Sequence, residues 1–214
     1  KMAYSYAERE MIRIEEKEAV EFIAERANGL PIFVWQVIRD LRINKKNLNM
    51  QNVKEIPKGM LDYVDRILWR ALRLKRERFP VLILLLLMTD VYKNSMHIDV
   101  FNMAYVVIKE RLERRYLSSE EALFSELLDR ITRYLYKNEQ DYAYALPHDA
   151  WVDVLRGRSS GPISADISRI NTAYPKKRRW NILIEAVLRA KNTTNRLKEL
   201  EKFIELNKIE FTTL

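Results

Sequence analysis

The stretch Pro80-Val-Leu-Ile-Leu-Leu-Leu-Leu-Met88 limits what this chain can become more than any other, because nine consecutive residues offer water no polar side chain. A membrane span needs roughly 20 such residues, so a run this short is buried within protein. It predicts a core helix over Pro80 to Val91. That helix needs neighbours on every side, and the rest of the chain has to supply them.

The means are there. With 214 residues, 48% of them hydrophobic and 32% charged, the chain fills one large core or two small ones, and two or three compact pieces are expected. A formal net charge of +8 permits contact with nucleic acid, nucleotide phosphates or acidic protein surfaces without choosing among them. The absence of cysteine excludes disulfides and thiolate metal sites, and makes a reducing, cytoplasmic setting the expectation. Lys1 to Glu10 has no apolar stretch of the kind a secretion signal carries, and no membrane partner is expected. A lysine ahead of Met2 suggests a chain cut from something longer.

Four glycines and six prolines punctuate the sequence. Met11 to Glu16 alternates briefly, like the end of a strand whose sheet lies elsewhere. From Lys17 the period is helical, with Val20, Ile23, Ala24 and Ala27 on one face, and Asn28-Gly29 suits the left-handed turn that ends helices. Pro31 opens the next helix, where its missing N–H costs nothing. Phe33, Trp35, Val37, Ile38 and Leu41 face inward there, until Asn44 to Asn52 breaks the pattern. A third helix starts at Pro57-Lys-Gly-Met60, and its stripe Arg66, Arg70, Arg73 reads as a solvated face.

After the apolar helix, a helix over Met96 to Arg115 is expected, and Ser118-Ser-Glu-Glu121 is a capping box for another, with Leu123, Leu127, Ile131 and Leu135 on its apolar side. Tyr134 to Tyr136 and Tyr142 to Leu146 flank Lys137 to Asp141 as a β-hairpin with a five-residue loop. Three helices followed by a hairpin is the order of a winged helix. In a DNA reader the third helix would enter the groove; here Glu120, Glu121, Glu126 and Asp129 outweigh Arg130 and Arg133, a poor face for a polyanion.

Pro147-His-Asp149 then presents His148 at a helix entrance, with Asp149 placed to cap the helix. A capping or packed histidine is one reading of His148 and a ligand-binding one is the other. His97 reads as a surface residue or a helix start. Glu15, Glu16, Glu18 and Glu21 read as a solvated helix face, and Trp35, Trp69 and Trp151 as core. Arg156 to Pro162 is a linker, Ala165 to Ala173 a short helix, and Trp180 to Lys191 and Thr194 to Lys208 close the chain as helices. Lys176, Lys177, Arg178 and Arg179 form the densest basic cluster. Next to Trp180 they could grip phosphates of a nucleic acid or an acidic protein partner, or merely solvate a helix entrance. No nucleophile constellation, catalytic acid–base pair or metal-ligand spacing stands out.

Two of these features occur together in one family. Gly29-Leu-Pro-Ile-Phe-Val34 resembles the GLPLAL motif in the helical lid of STAND-class P-loop ATPases, the AAA+-related group that includes NB-ARC proteins and archaeal ATPases. Pro147-His-Asp149 resembles the Met-His-Asp motif that ends their winged helix, with proline in place of methionine. The resemblance covers about residues 10 to 156.

It implies a mainly α chain. Residues 1–16 would be the end of a missing nucleotide-domain sheet or a tail, 17–56 the helical lid, 57–156 the winged-helix domain of three helices and a β-hairpin, and 157–214 a linker and helical extension. It also implies nucleotide-binding roles. Gly29 would allow the corner that lays Pro31 against adenine, and His148 would reach the β-phosphate of ADP. No Gly-x-x-x-x-Gly-Lys-Ser/Thr occurs, so the chain is not expected to hydrolyse ATP alone. ATP or ADP with Mg²⁺ would come only with an upstream P-loop domain, its implied partner, and oligomerisation on activation belongs to the same expectation. The alternatives from other classes are a winged-helix DNA-binding protein and a helical protein-interaction module.

Overall fold

The structure, a computed structural model, describes residues 2–72, 78–112 and 121–190. Those residues are mainly helical, with eleven α-helices and one small three-stranded antiparallel sheet. No helix among them is long and apolar enough to cross a membrane. The chain divides into two compact units, residues 1–67 and 68–214.

The first unit holds α1 (Met2–Arg9), α2 (Lys17–Ala27), α3 (Pro31–Ile43), the single turn α4 (Met50–Val53) and the start of α5 (Met60–Ala71). Helix α1 is a departure from the sequence reading, which has a tail or a sheet end there; Ala3 and Ala7 are buried and anchor it. Residues 11–16 do not form a strand. Ile14 makes a single parallel bridge to Leu48 in the chain's own polar loop, with the Leu48 amide on the Arg13 carbonyl at 2.9 Å.

Glu15 and Glu16 are exposed, as the sequence reading has them, but they precede the helix α2 and are held by hydrogen bonds. Asn47 and Asn49 each donate a side-chain amide to Glu15, and the Met50 amide donates to Glu16. These bonds, Asn49's first, hold the Glu15 carboxyl below its ordinary value of 4.5.

Helix α2 ends as its sequence dictates, with Asn28 at φ 44° and Gly29 at φ 78°, and Pro31 begins α3. Against α3, Phe33 packs on Tyr63 at 5.2 Å between ring centres, and the buried Tyr63 hydroxyl donates to Asp40 at 3.0 Å. Trp35 lies half-exposed under Arg39, 5.0 Å from it, instead of in the core.

The second unit is built on α6 (Arg78–Thr89), in which Pro80 through Thr89 are all buried. This is the helix that the apolar run demands, and each fully buried leucine contributes about 1.5–3 kcal/mol. Helices α7 (Ile98–Arg111), α9 (Asp149–Leu155), α10 (Pro162–Ala173) and α11 (Lys176–Arg189) pack around it, with α8 (Glu121–Thr132) completing the set. Arg78 lies 4.7 Å over Trp69, which is partly exposed, and pairs with the buried Asp166 of α10.

Strands β1 (Ser95–His97), β2 (Tyr136–Asn138) and β3 (Ala143–Ala145) form the sheet, in the order β1-β3-β2. In the central strand Tyr144 pairs with Met96 on one side and Lys137 on the other. The hairpin loop has four residues, 139–142, not five, because Asn138 still pairs with Ala143. Asn138 accepts the Gln140 amide on its side chain at 3.0 Å, and Tyr142 turns back at φ 46°. Strand β1 is absent from the sequence reading, which starts a helix at Met96. The capping residues Ser118 to Glu120, Arg73 and the helix expected over Thr194 to Lys208 lie outside the described residues.

Candidate functional site

The backbone between β3 and α9 fixes His148. After Ala145 the Leu146 amide bonds to the Asn94 carbonyl at 3.0 Å, and Pro147 leads into an extended His148 at φ −165°. His148, not Asp149, is the N-cap of α9: its Nδ1 accepts the Ala150 amide at 3.0 Å, leaving Asp149 as the first helical residue. One position decides this, since the capping residue must be extended and Asp149 already has helical backbone. Trp151, fully buried, packs 6.3 Å from Tyr134 and holds the helix in place.

An acceptor Nδ1 puts the proton of a neutral ring on Nε2. His148 is partly exposed. His97 is a useful contrast. It caps α7 in the same manner, accepting the Asp99 amide on Nδ1 at 3.2 Å, but it is buried and packed 5.5 Å from Tyr142. It is a helix start, as one reading has it, and not a surface residue. Capping accounts for both histidines; what distinguishes His148 is that it is partly exposed where His97 is buried.

Gly29 and Pro31 belong to the other unit. Gly29, Leu30 and Pro31 are all exposed, Leu30 at 48%, so the corner shows an apolar surface to solvent. A Cβ on Gly29 would meet no atom, so what selects glycine there is its positive φ and not space.

The basic cluster splits. Lys176, Lys177 and Arg178 are exposed in the first turn of α11, with Lys176 4.6 Å over Trp180 and Arg178 4.3 Å over Tyr174. Arg179 is withdrawn from any partner surface. It is 6% exposed and forms a two-point pair with Asp90, Nε to Oδ2 at 2.8 Å and Nη2 to Oδ1 at 3.3 Å. Its Nη1 donates to Asn171 and to the Tyr174 carbonyl. Helical spacing explains the split, because Arg179 precedes the buried Ile182 and Leu183 on one face. Asp90 belongs to no motif; its one sequence signal is that a carboxylate closes an otherwise apolar run.

On α8, Arg130 is engaged by Glu126 and by the Ala71 carbonyl. Compared with known proteins, the chain matches no family model, no curated protein and no solved structure.

Proposed function

We propose that this chain is the regulatory, nucleotide-sensing part of a STAND-type ATPase switch, with residues 17–56 as the lid and 57–156 as the winged helix. The observation that carries the reading is the partly exposed His148 ring, held at the strand-to-helix corner by its Nδ1 capping bond. A histidine fixed by its own capping bond and aimed by a strand-to-helix corner suits a β-phosphate oxygen, which needs a donor. The exposed Leu30-Pro31 surface suits a flat adenine. A further support is the order α6-β1-α7-α8-β2-β3 with sheet order β1-β3-β2, which is what a winged helix requires.

In this reading the chain performs no chemistry. A P-loop domain encoded upstream would bind the nucleotide and Mg²⁺. Nucleotide exchange would act as a switch only through differential contacts with the two states.

Hydrogen exchange on the full-length product tests the proposal. ADP is expected to slow exchange around residues 29–33 and 148–151. Protection of α8 by duplex DNA instead, with a steep salt dependence, would favour the DNA-binding alternative. Against that alternative stands Arg130, already engaged by Glu126 and Ala71.

A further inference from the structure

We infer that His148 makes the corner between β3 and α9 proton-sensitive: the first turn of α9 is held while the ring is neutral and let go when it is charged. The device depends on the capping bond alone, whether or not a nucleotide is bound. It draws on the chain's two histidines, which do the same job on neighbouring strands. His97 ends β1 and starts α7, His148 follows β3 and starts α9, and β1 pairs with β3.

In both places Nδ1 accepts the amide two residues on, from Asp99 at 3.2 Å and from Ala150 at 3.0 Å. A ring nitrogen accepts only while it carries no proton. Imidazole is the side chain whose charge ordinarily changes between about pH 5 and 8. Once charged, it turns an N–H toward an amide N–H, donor against donor, and the bond cannot survive. Asn49 has no such weakness. It starts α4 by accepting the Asn52 amide on its carboxamide oxygen at 3.0 Å, an acceptor that does not titrate. Asparagine, aspartate and serine are the usual caps, so two histidines in this role in one unit are a departure that adds a response to protons.

The surroundings set the two corners apart. Buried His97 faces the Asp99 carboxylate of α7, with Oδ2 3.7 Å from Nδ1, and the Tyr142 ring of the hairpin at 5.5 Å. A charged His97 can exchange its cap for that ion pair without leaving its place. His148 is partly exposed, and among the described residues no carboxylate lies within ion-pair distance of it; Asp149, next in the chain, is exposed. A charged His148 therefore gains most by turning out into water. Helix α9 has seven residues, so its first turn, with buried Ala150 and Trp151, is a large part of it. A cap made by the neutral ring is present above the range in which the ring charges and is lost as pH falls through it.

Nitrogen-15 NMR of the imidazole rings, with amide hydrogen exchange, tests this on the full chain. At about pH 7.5 the His148 ring should carry its proton on Nε2. Between there and about pH 5.5, Ala150 protection, corrected for the intrinsic pH dependence of exchange, should fall about fivefold, roughly 1 kcal/mol. The fall should keep step with ring protonation. In His148→Asn the Ala150 amide should stay protected at both pH values. A proton on Nδ1 at the higher pH, a ring still neutral at the lower one, or Ala150 protection that outlasts ring protonation overturns the device. So does an equal fall in His148→Asn.

Discussion

His148 accepts the Ala150 amide on Nδ1 at 3.0 Å, so one ring nitrogen is committed to the helix and the proposed ligand role falls to the other. The two roles can be separated. Asparagine is a good N-cap and alanine a poor one, so His148→Ala should cost about 1 kcal/mol while His148→Asn should be close to neutral. Chemical denaturation of the three chains checks this. Equal loss in both variants would mean that the ring is held by packing and not by its capping bond.

Arg179 and Asp90 should be needed for folding, whatever Lys176 binds. Removing one partner of a buried pair leaves the other charge stranded, at a cost of roughly 3–5 kcal/mol. Arg179→Met and Asp90→Asn should both fall in that range, against little change for Lys177→Gln. A mild Arg179→Met would return that arginine to the list of surface contacts.

Gln36 is fully buried, and neither end of its amide has a hydrogen-bond partner. An unsatisfied buried amide costs about 1–3 kcal/mol, and an apolar side chain of similar size escapes that cost. Gln36→Leu is expected to raise stability by about 1 kcal/mol in urea. A loss of stability would show that the amide has a partner in solution.

Acid should weaken the contact between α7 and α11 only as pH falls below the ordinary carboxylate value. Arg189 holds the Glu110 carboxyl below its ordinary value of 4.5, and Arg111, then Arg189, do the same for Glu185. A depressed folded pKa contributes stability that is present above the unfolded value and lost as pH falls through the folded one. The stability of the native chain should therefore drop below about pH 4.5, and the drop should be shallower in Glu110→Gln and Glu185→Gln. These groups are exposed, so salt should shrink the effect. An unchanged acid limb in both variants would contradict this.

The helices were legible where burial and punctuation agree. Lys17–Ala27 and Pro31–Ile43 follow from Asn28-Gly29 and Pro31, and α6 follows from its apolar run. Strand β1 was not legible, because three residues, Ser95 to His97, are too few to alternate, and only pairing with β3 makes them a strand. Helix α1 was missed because its buried face is little more than Ala3 and Ala7, and tertiary contact with α3 supplies the rest. A capping His148 was one of the readings open in the sequence; that the cap is His148 and not Asp149 needed backbone angles. The sequence grouped Arg179 with its neighbours by charge. Asp90, 89 positions away, is what separates it from them.

The release of ADP from the full-length product, if it carries the P-loop domain proposed upstream, is the most direct test of the proposed switch. Fluorescent ADP should leave His148→Asn about tenfold faster than the native protein, a loss of roughly 1.4 kcal/mol, with folding stability retained. An unchanged release rate in a stable His148→Asn, or an upstream sequence with no P-loop, would contradict the account.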